Sequence, residues 1–225
     1  MIIIDGVTKK YGDKKVLDNV SFKINGGEFV SIIGASGAGK TTLIHTLIGA
    51  EKVDKGMIKV DNYEVSKLKP SDIQKYRRMI GIVFQDYKLL PQKTVFENVA
   101  FALEVCGYPK KFVNERTVSV LKIVELEDLR NHFPHQLSGG EKQRTAIARA
   151  LVHDPQMIIA DEPTGNLDPD SAMELGKLLM KINDGGTTVI LATHNKAIVD
   201  FMQKRVVTLN KGKVVSDKKT AGYKD

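Results

Sequence analysis

Residues 34–42, with the sequence GASGAGKTT, constrain the fold more than any other part of the chain. They fit the pattern G-x-x-x-x-G-K-[ST] of a phosphate-binding loop, in which backbone N–H groups converge on phosphate oxygens with no Cβ in the way. The apolar run EFVSIIG precedes this loop and LIHTLIGA follows it, which predicts a buried strand, the loop and a helix in that order. We therefore expect an α/β fold with a nucleotide at one edge of its sheet.

The side chains of this segment, here called the phosphate loop, suit a triphosphate. Lys40 supplies a positive charge for the β- and γ-phosphates, the Thr41 hydroxyl is a ligand for Mg²⁺, and the helix that begins near Lys40 directs the positive end of its dipole at the same place. The expected nucleotide-binding residues of the loop are Gly34, Ala35, Ser36, Gly37, Ala38, Gly39, Lys40, Thr41 and Thr42.

A second buried run, MIIADE at residues 157–162, ends in two carboxylates. The carboxyl ends of strands are where α/β sheets hold their ligands. We predict that Asp161 holds the metal through water and that Glu162 is the catalytic base that polarises an attacking water.

Length and composition restrict the class of protein. With 225 residues, 42% of them hydrophobic, the chain suits one well-buried domain, predicted over residues 1–225. Its one cysteine excludes an internal disulfide and suits a reducing compartment. Apolar runs stay well below the roughly 20 residues of a membrane span, and the N-terminus lacks a signal-peptide pattern, so a soluble cytoplasmic chain is expected.

Charge alone does not identify a partner. A net charge of +7 would attract an anionic partner, either nucleic acid or the inner leaflet of a membrane. It is equally consistent with lysines that are simply solvated. Aromatic residues do not interleave with the lysines as a single-strand-binding groove requires, so we predict no nucleic-acid partner. The lysine-rich end beyond Val215 could contact anionic lipid headgroups or simply be solvated, and the sequence does not decide between the two.

The remaining pattern predicts three regions. The first sixty residues are β-rich and predict a small antiparallel layer, whereas residues 95–151 have helical periodicity. QMIIAD and TTVILAT are continuous apolar runs, which are typical of parallel strands buried on both faces. We predict an α/β core over residues 1–86 and 155–225, interrupted by a helical subdomain over about 87–154.

Residues 136–151, QLSGGEKQRTAIARAL, predict a second site for phosphate. Ser138 and Glu141 form the S-x-x-E pattern of a capping box, which accounts for a well-started helix. It does not account for Gly139 and Gly140, which weaken a helix unless a ligand has to approach the backbone closely.

This segment, LSGGEKQR, resembles the signature motif of the ATP-binding cassette (ABC) ATPases, and the other motifs of that family follow in order along nearly the whole chain. Tyr11 matches the aromatic residue that stacks on adenine, with Val16 nearby, and the phosphate loop matches Walker A. The remaining matches are Gln85 (Q-loop), Ser138, Gly139, Gly140 and Glu141 (signature), Asp161 and Glu162 (Walker B), Asp168 in GNLD (D-loop) and His194 in LATHN (switch histidine).

The resemblance implies an ABC nucleotide-binding domain with a RecA-like P-loop core, an antiparallel β subdomain and a helical subdomain. It implies ATP and Mg²⁺, with Thr41, Gln85 and Asp161 at the metal and Glu162 and His194 as catalytic residues. It also implies a homodimer formed on ATP binding, in which the signature of one subunit contacts the ATP of the other.

A cassette of this kind acts through another protein. A DNA-repair ATPase would have a long coiled coil between its Walker motifs, and a translation-type protein would have two cassettes, so a membrane complex is favoured. LLPQKTVFENVAFALEV and ADEPTGNLDP resemble the FtsE group. That group implies an FtsX-like membrane partner docking near residues 86–108, indirect action on a peptidoglycan hydrolase, and a peripheral location on the cytoplasmic face of the plasma membrane. The LolD/MacB group of lipoprotein, drug or peptide exporters is the alternative.

Overall fold

The computed structural model describes residues 1–219, so the last residues of the lysine-rich tail lie outside the described part of the chain. The strands are β1 (Ile2–Tyr11), β2 (Lys14–Ile24), β3 (Phe29–Ile33), β4 (Lys55–Val60), β5 (Tyr63–Glu64), β6 (Ile80–Phe84), β7 (Met157–Asp161), β8 (Thr188–Thr193), β9 (Arg205–Asn210) and β10 (Lys213–Lys218). The α-helices are α1 (Lys40–Leu47), α2 (Pro70–Arg77), α3 (Val95–Val105), α4 (Lys110–Ile123), α5 (Gly139–Leu151), α6 (Pro169–Asp184) and α7 (Lys196–Met202).

The larger sheet has the strand order β10-β9-β3-β8-β7-β6. Its strands from β9 to β6 are parallel, while β10 returns antiparallel through a hairpin at Lys211 and Gly212. Every residue of β3, β7 and β8 is buried, as expected for strands covered on both faces. The α/β fold and the parallel strands predicted from the sequence are thus confirmed.

Strand register determines which side chains meet at the carboxyl edge of this sheet. Phe84 at the end of β6 pairs with Asp161, which in turn pairs with Ala192 in β8. The end of β3 is aligned in the same way, because Ile33 pairs with Thr193. The loops that follow β3, β6, β7 and β8 therefore leave the sheet side by side, and they carry the phosphate loop, Gln85, Glu162 and His194.

The smaller sheet is antiparallel, with the order β2-β1-β4-β5, and confirms the β layer expected near the N-terminus. It packs on one face of the larger sheet through a continuous apolar core. One consequence concerns the site directly: Val16 in β2 places its carbonyl oxygen 2.8 Å from the position that a Cβ on Gly39 would take.

Helices α3, α4 and α5 pack together and continue the core on the other face of the larger sheet. Helix α3 begins with a capping box in which Thr94 and Glu97 bond each other reciprocally. Val113, Val120, Leu121 and Val124 are buried, as their spacing predicts. All three helices fall within residues 87–154, and the boundaries of the helical subdomain remain a prediction.

Two helices were not predicted from the sequence. Helix α2 buries only Tyr76 among its own residues, so its sequence lacks an apolar stripe, and Pro70 at its first turn is its main signal. Helix α7 is a short helix capped by Asn195 directly after the strand that leads to His194. Over residues 1–219, no helix has the length and apolar character that crossing a bilayer requires.

Candidate functional site

The phosphate loop is held so closely that glycine is required at two of its positions. Gly34 has φ +153° and a Cβ there would lie 2.3 Å from the carbonyl oxygen of Leu209 in β9. Gly39 has φ +107°, and its Cβ would meet the Val16 carbonyl oxygen. A side chain at either position would collide with backbone atoms, so the strands around the loop fix its shape.

Lys40 is buried at the start of α1, with 6% of its surface exposed. Its Nζ donates to the carbonyl oxygen of Gly34 at 2.8 Å and lies 3.2 Å from Glu162 Oε1. A buried ammonium requires such partners, because desolvation of a bare charge is costly. The ammonium group is therefore oriented toward the loop before any phosphate arrives.

Asp161 and Thr41 meet in the same place. The Thr41 hydroxyl donates to Asp161 Oδ1 at 3.3 Å, and burial raises the pKa of the Asp161 carboxyl above its ordinary value, with the neighbouring charge of Glu162 acting in the same direction. A hydroxyl and a carboxylate are hard oxygen ligands of the kind Mg²⁺ prefers, so the residues present fit that ion.

Glu162 occupies a strained position directly after β7. Its φ of +49° lies in the left-handed region, which is rare for a residue with a long side chain and is found at functional sites. While its Oε1 faces Lys40, its Oε2 accepts from the backbone N–H of His194 at 3.1 Å and lies 2.9 Å from His194 Nδ1. One carboxylate oxygen is thus held by Lys40 of the phosphate loop and the other by His194.

Lys40, Thr41, Glu162 and His194 border one open cavity of about 480 Å³, a size typical of small-molecule sites, whereas Asp161 lies behind Thr41 and is not part of its lining. Its lining residues are Val16, Ala35, Ser36, Gly37, Gly39, Lys40, Thr41, Thr42, Gln85, Glu162 and His194. The structure therefore brings together most of the residues that the sequence assigns to the nucleotide, although these come from segments more than 150 residues apart.

Three predicted nucleotide residues, Gly34, Ala38 and Tyr11, lie outside this lining. Gly34 contributes its carbonyl oxygen, which accepts from Lys40 Nζ. Ala38 is buried, and its backbone accepts from Gly212 N, so it supports the loop from behind. Tyr11 ends β1 with 47% of its surface exposed, and Lys9 Nζ lies 5.2 Å from its ring centre. The ring is free to receive an adenine, and stacking there remains a prediction.

Gln85 has a neighbour that the sequence did not single out. Asn166 Nδ2 donates to the Gln85 carbonyl oxygen at 3.2 Å, and its Oδ1 lies 3.5 Å from Gln85 Nε2. Gly165 permits this pairing, since a Cβ there would lie 2.8 Å from Gln85 Nε2. Asn166 belongs to the GNLD motif, for which the sequence singles out only Asp168. Asp168 caps α6, and its Oδ1 accepts from Ser171 N at 2.9 Å.

The signature segment, residues 138–141, has the predicted capping box. Glu141 N donates to the Ser138 hydroxyl oxygen at 3.3 Å. In return Glu141 Oε2 accepts from Ser138 N at 2.7 Å and from the Ser138 hydroxyl at 2.8 Å, and these two bonds lower the pKa of Glu141. Within residues 1–219, the N–H groups of Gly139 and Gly140 donate to no acceptor, as is usual in the first turn of a helix. None of the four residues lines the cavity of the phosphate loop.

Comparison with known proteins agrees with this geometry. The family model described as ABC transporter matches residues 17–165. The cell division ATP-binding protein FtsE of Bacillus subtilis (strain 168) is 49% identical over 99% of this chain and 98% of that protein, and FtsE of Mycobacterium tuberculosis (strain ATCC 25618 / H37Rv) is 48% identical with the same coverage.

A solved structure resembles the whole chain. The dimeric structure of a post-hydrolysis state of the ATP-binding cassette MJ0796, bound to ADP and Pi, has a TM-score of 0.87 and 38% identity, covering 99% of this chain and all of that one. Its fold has the same combination of sheets and helices, which confirms the predicted fold class. Family match, near-full-length identity and fold lead to one conclusion: this chain belongs to the ABC transporter family and is an ATP hydrolase that resembles FtsE.

Proposed function

We propose that this chain is the cytoplasmic ATPase subunit of an FtsE-type membrane complex. In this proposal, ATP-driven closure of a homodimer acts on an FtsX-like membrane protein, which activates peptidoglycan hydrolysis during cell division. The observation that carries the proposal is the 49% identity to a cell division ATP-binding protein along 99% of this chain. The chain would lie on the cytoplasmic face of the plasma membrane, bound through its partner.

The hydrolytic step follows from the contacts of Glu162. Lys40 Nζ lies 3.2 Å from Glu162 Oε1, so the lysine and the carboxylate share one place at the loop. With the triphosphate bound to the Lys40 ammonium, Oε1 would accept a proton from the attacking water. His194, whose backbone and ring both contact Oε2, holds the carboxylate in place and is positioned to orient that water.

Mg²⁺ would be held by Thr41, by Gln85 and, through water, by Asp161. When bound, this ion neutralises charge that develops on the β- and γ-phosphates. The burial that raises the pKa of Asp161 also explains why the site favours a cation, because a nearby positive charge relieves the cost of a buried carboxylate.

The signature segment supports a homodimer. Its two glycine N–H groups are available to a phosphate, but they lie outside the cavity that contains Lys40. In a head-to-tail pair, each signature segment would complete the site of the other subunit, so that ATP becomes part of the interface. Binding would then close the dimer and hydrolysis would open it.

The docking segment for the membrane partner, residues 86–108, includes exposed apolar side chains on and after α3. Phe101, Val105 and Tyr108 expose 39%, 66% and 45% of their surfaces. Large apolar side chains grouped on a surface are typical of interaction sites. We assign the FtsX-like contact to this group.

A pull-down from native membranes tests the proposal. The bait is the Glu162→Gln chain with ATP, and mass spectrometry identifies the captured proteins. We expect an FtsX-like membrane protein with an extracellular loop, accompanied by a peptidoglycan hydrolase. The matched control carries Val105→Ser in addition, which should abolish capture while leaving ATP binding intact, because this side chain is largely exposed and lies outside the cavity.

Capture of a lipoprotein-release or drug-export permease instead would contradict the cell-division assignment and support the LolD/MacB alternative. Equal capture by the Val105→Ser bait would contradict the position assigned to the docking surface.

A further inference from the structure

Arg149, near the end of α5, binds the chain just after Gln85. Its Nη1 donates to the carbonyl oxygen of Lys88 at 2.7 Å and its Nη2 to that of Tyr87 at 2.9 Å. Burial lowers the pKa of the Arg149 guanidinium, although the group stays charged at neutral pH. A partly buried arginine that binds two successive carbonyl groups fixes the direction of the backbone between them.

The backbone bound by Arg149 is strained. Tyr87 has φ +54° and Lys88 has φ +52°, so two successive residues with large side chains adopt the left-handed conformation. This conformation is unfavourable for such residues and persists only where surrounding contacts hold it. Asp86 contributes, since its carbonyl oxygen accepts from Lys88 N at 2.5 Å. The only side-chain bonds to the carbonyl groups of Tyr87 and Lys88, within the described chain, come from Arg149.

The same turn touches the signature segment and the nucleotide cavity. Tyr87 Oη lies 3.3 Å from the position that a Cβ on Gly139 would take, so the tyrosine side chain contacts the first residue of α5. Two residues earlier, Gln85 lines the cavity. Helix α5 therefore holds residues 85–88 at two places: through Tyr87 at its beginning and through Arg149 near its end.

We propose that Arg149 is a positioning residue that clamps residues 85–88 to α5, so that Gln85 and the signature segment move as one body. Through this clamp, a displacement of Gln85 on nucleotide binding changes the orientation of the Gly139 and Gly140 N–H groups. The inference rests on the proposed two-subunit site, but it does not depend on which membrane protein is the partner.

Steady-state hydrolysis by the purified full chain, together with titration of a fluorescent ATP analogue, tests the proposal. Arg149→Met keeps the apolar length of the side chain and removes the two hydrogen bonds. We expect kcat to fall about tenfold or more while KM and nucleotide affinity stay within about threefold, since the phosphate loop is untouched. Arg149→Lys, which retains a charge and donors, should restore part of kcat.

A matched control is provided by Arg116 on α4. Its Nε donates to the Val152 carbonyl oxygen at 3.1 Å, just beyond α5, and its Nη2 donates to Asp154 at 3.1 Å. Arg116→Met therefore also breaks an arginine–carbonyl bond at the end of α5, but far from residues 85–88 along the chain. It should lower thermal stability about as much as Arg149→Met and leave kcat unchanged.

A further variant separates the clamp from simple strain in the turn. Glycine adopts the left-handed conformation without strain but restores no bond to α5, so Lys88→Gly in the Arg149→Met chain should leave kcat low. Three results would overturn the clamp: an unchanged kcat in Arg149→Met, an equal loss in Arg116→Met, or recovery of kcat on adding Lys88→Gly. Failure to find an FtsX-like partner would leave these kinetic results unaffected, so the two proposals fail separately.

Discussion

The phosphate loop and the signature segment are both glycine-rich starts of helices, yet they differ in what surrounds them. At the phosphate loop, Lys40 supplies a buried charge, and Asp161, Glu162 and His194 come from neighbouring strand ends. At the signature segment, the first-turn N–H groups of α5 stand outside that cavity, with a capping box that uses Ser138 and Glu141.

This difference explains why one chain would have two phosphate sites. The phosphate loop has a buried cation with Asp161 and Glu162 beside it, and we expect these groups to supply the metal ligand and the base that hydrolysis requires. At the signature segment the nearest carboxylate, Glu141, is bound by Ser138, so we expect the free N–H groups there to complete a site built elsewhere. The predictions below test this division of roles.

The largest effect is expected for Glu162→Gln, which removes the base and keeps the size of the side chain. A positioned base contributes about 10²–10⁴-fold to rate, so turnover should fall by about that factor while ATP still binds. Light scattering after size exclusion should show a stable dimer in saturating Mg-ATP. A variant that stays monomeric under these conditions would contradict the shared site.

The next effect is expected for Lys40→Ala. Hydrogen bonds to charged groups contribute about 1.5–3 kcal/mol, so nucleotide affinity should fall by about 10- to 100-fold. Titration of a fluorescent ATP analogue measures this loss. Lys142→Ala, which changes a lysine of α5 next to the signature segment, is the control and should bind the analogue as the parent chain does. Unchanged affinity in Lys40→Ala would refute the role given to that ammonium.

A smaller effect separates capping from ligand binding at the signature segment. Ser138→Ala and Thr94→Ala each remove the serine or threonine of a capping box, at the start of α5 and α3 respectively. Each should cost about 1 kcal/mol of folding free energy, which lowers Tm by roughly 2–4 °C in a chain of this length.

Only Ser138→Ala should also lower kcat, by about tenfold, because its hydroxyl is the one expected at a phosphate. Scanning calorimetry and steady-state kinetics on both variants check the pair. If the two variants have equal kcat, Ser138 only caps α5 and does not bind a phosphate.

The smallest effect concerns the charge of Asp161 in the absence of ligand. Burial raises its pKa, so ionisation is less favourable in the folded chain than in the unfolded one, and at neutral pH the charge lowers stability. Asp161→Asn should therefore raise Tm by a few degrees without nucleotide and weaken the stabilisation by Mg-ATP. The gain should vanish below the ordinary carboxyl pKa, where both states are protonated. A lowered Tm at neutral pH would contradict this assignment.

Much of the fold and the site followed from the sequence, because the decisive residues lie in contiguous motifs. The phosphate loop, the strand ending in Asp161 and the capping box of Ser138 and Glu141 depend on local patterns that local chemistry explains. The contacts of Arg149 and Asn166 could not be predicted in this way, since both bind carbonyl groups more than 60 residues distant, and a carbonyl group has no sequence signature.

Arg149 is the clearest example of a contact that could not be predicted from the sequence. In the structure its guanidinium turns toward the carbonyl groups of Tyr87 and Lys88, a contact that nothing in the sequence around it indicates. The left-handed conformation of those two residues could not be predicted either, since neither is glycine or asparagine. Helix α2 was missed for a different reason, because it buries too little apolar surface to leave a periodic pattern.

The most direct test of the central claim is mixing two inactive variants. Lys40→Ala disables the phosphate loop, and Gly140→Asp places a negative charge at the signature segment, where it suits the helix dipole but repels a phosphate. If the signature segment acts on the partner's ATP, a mixed dimer has one intact site, and random pairing should restore about one quarter of wild-type hydrolysis. If the mixture stays as inactive as its components, the signature segment does not complete the partner's site and the account is wrong.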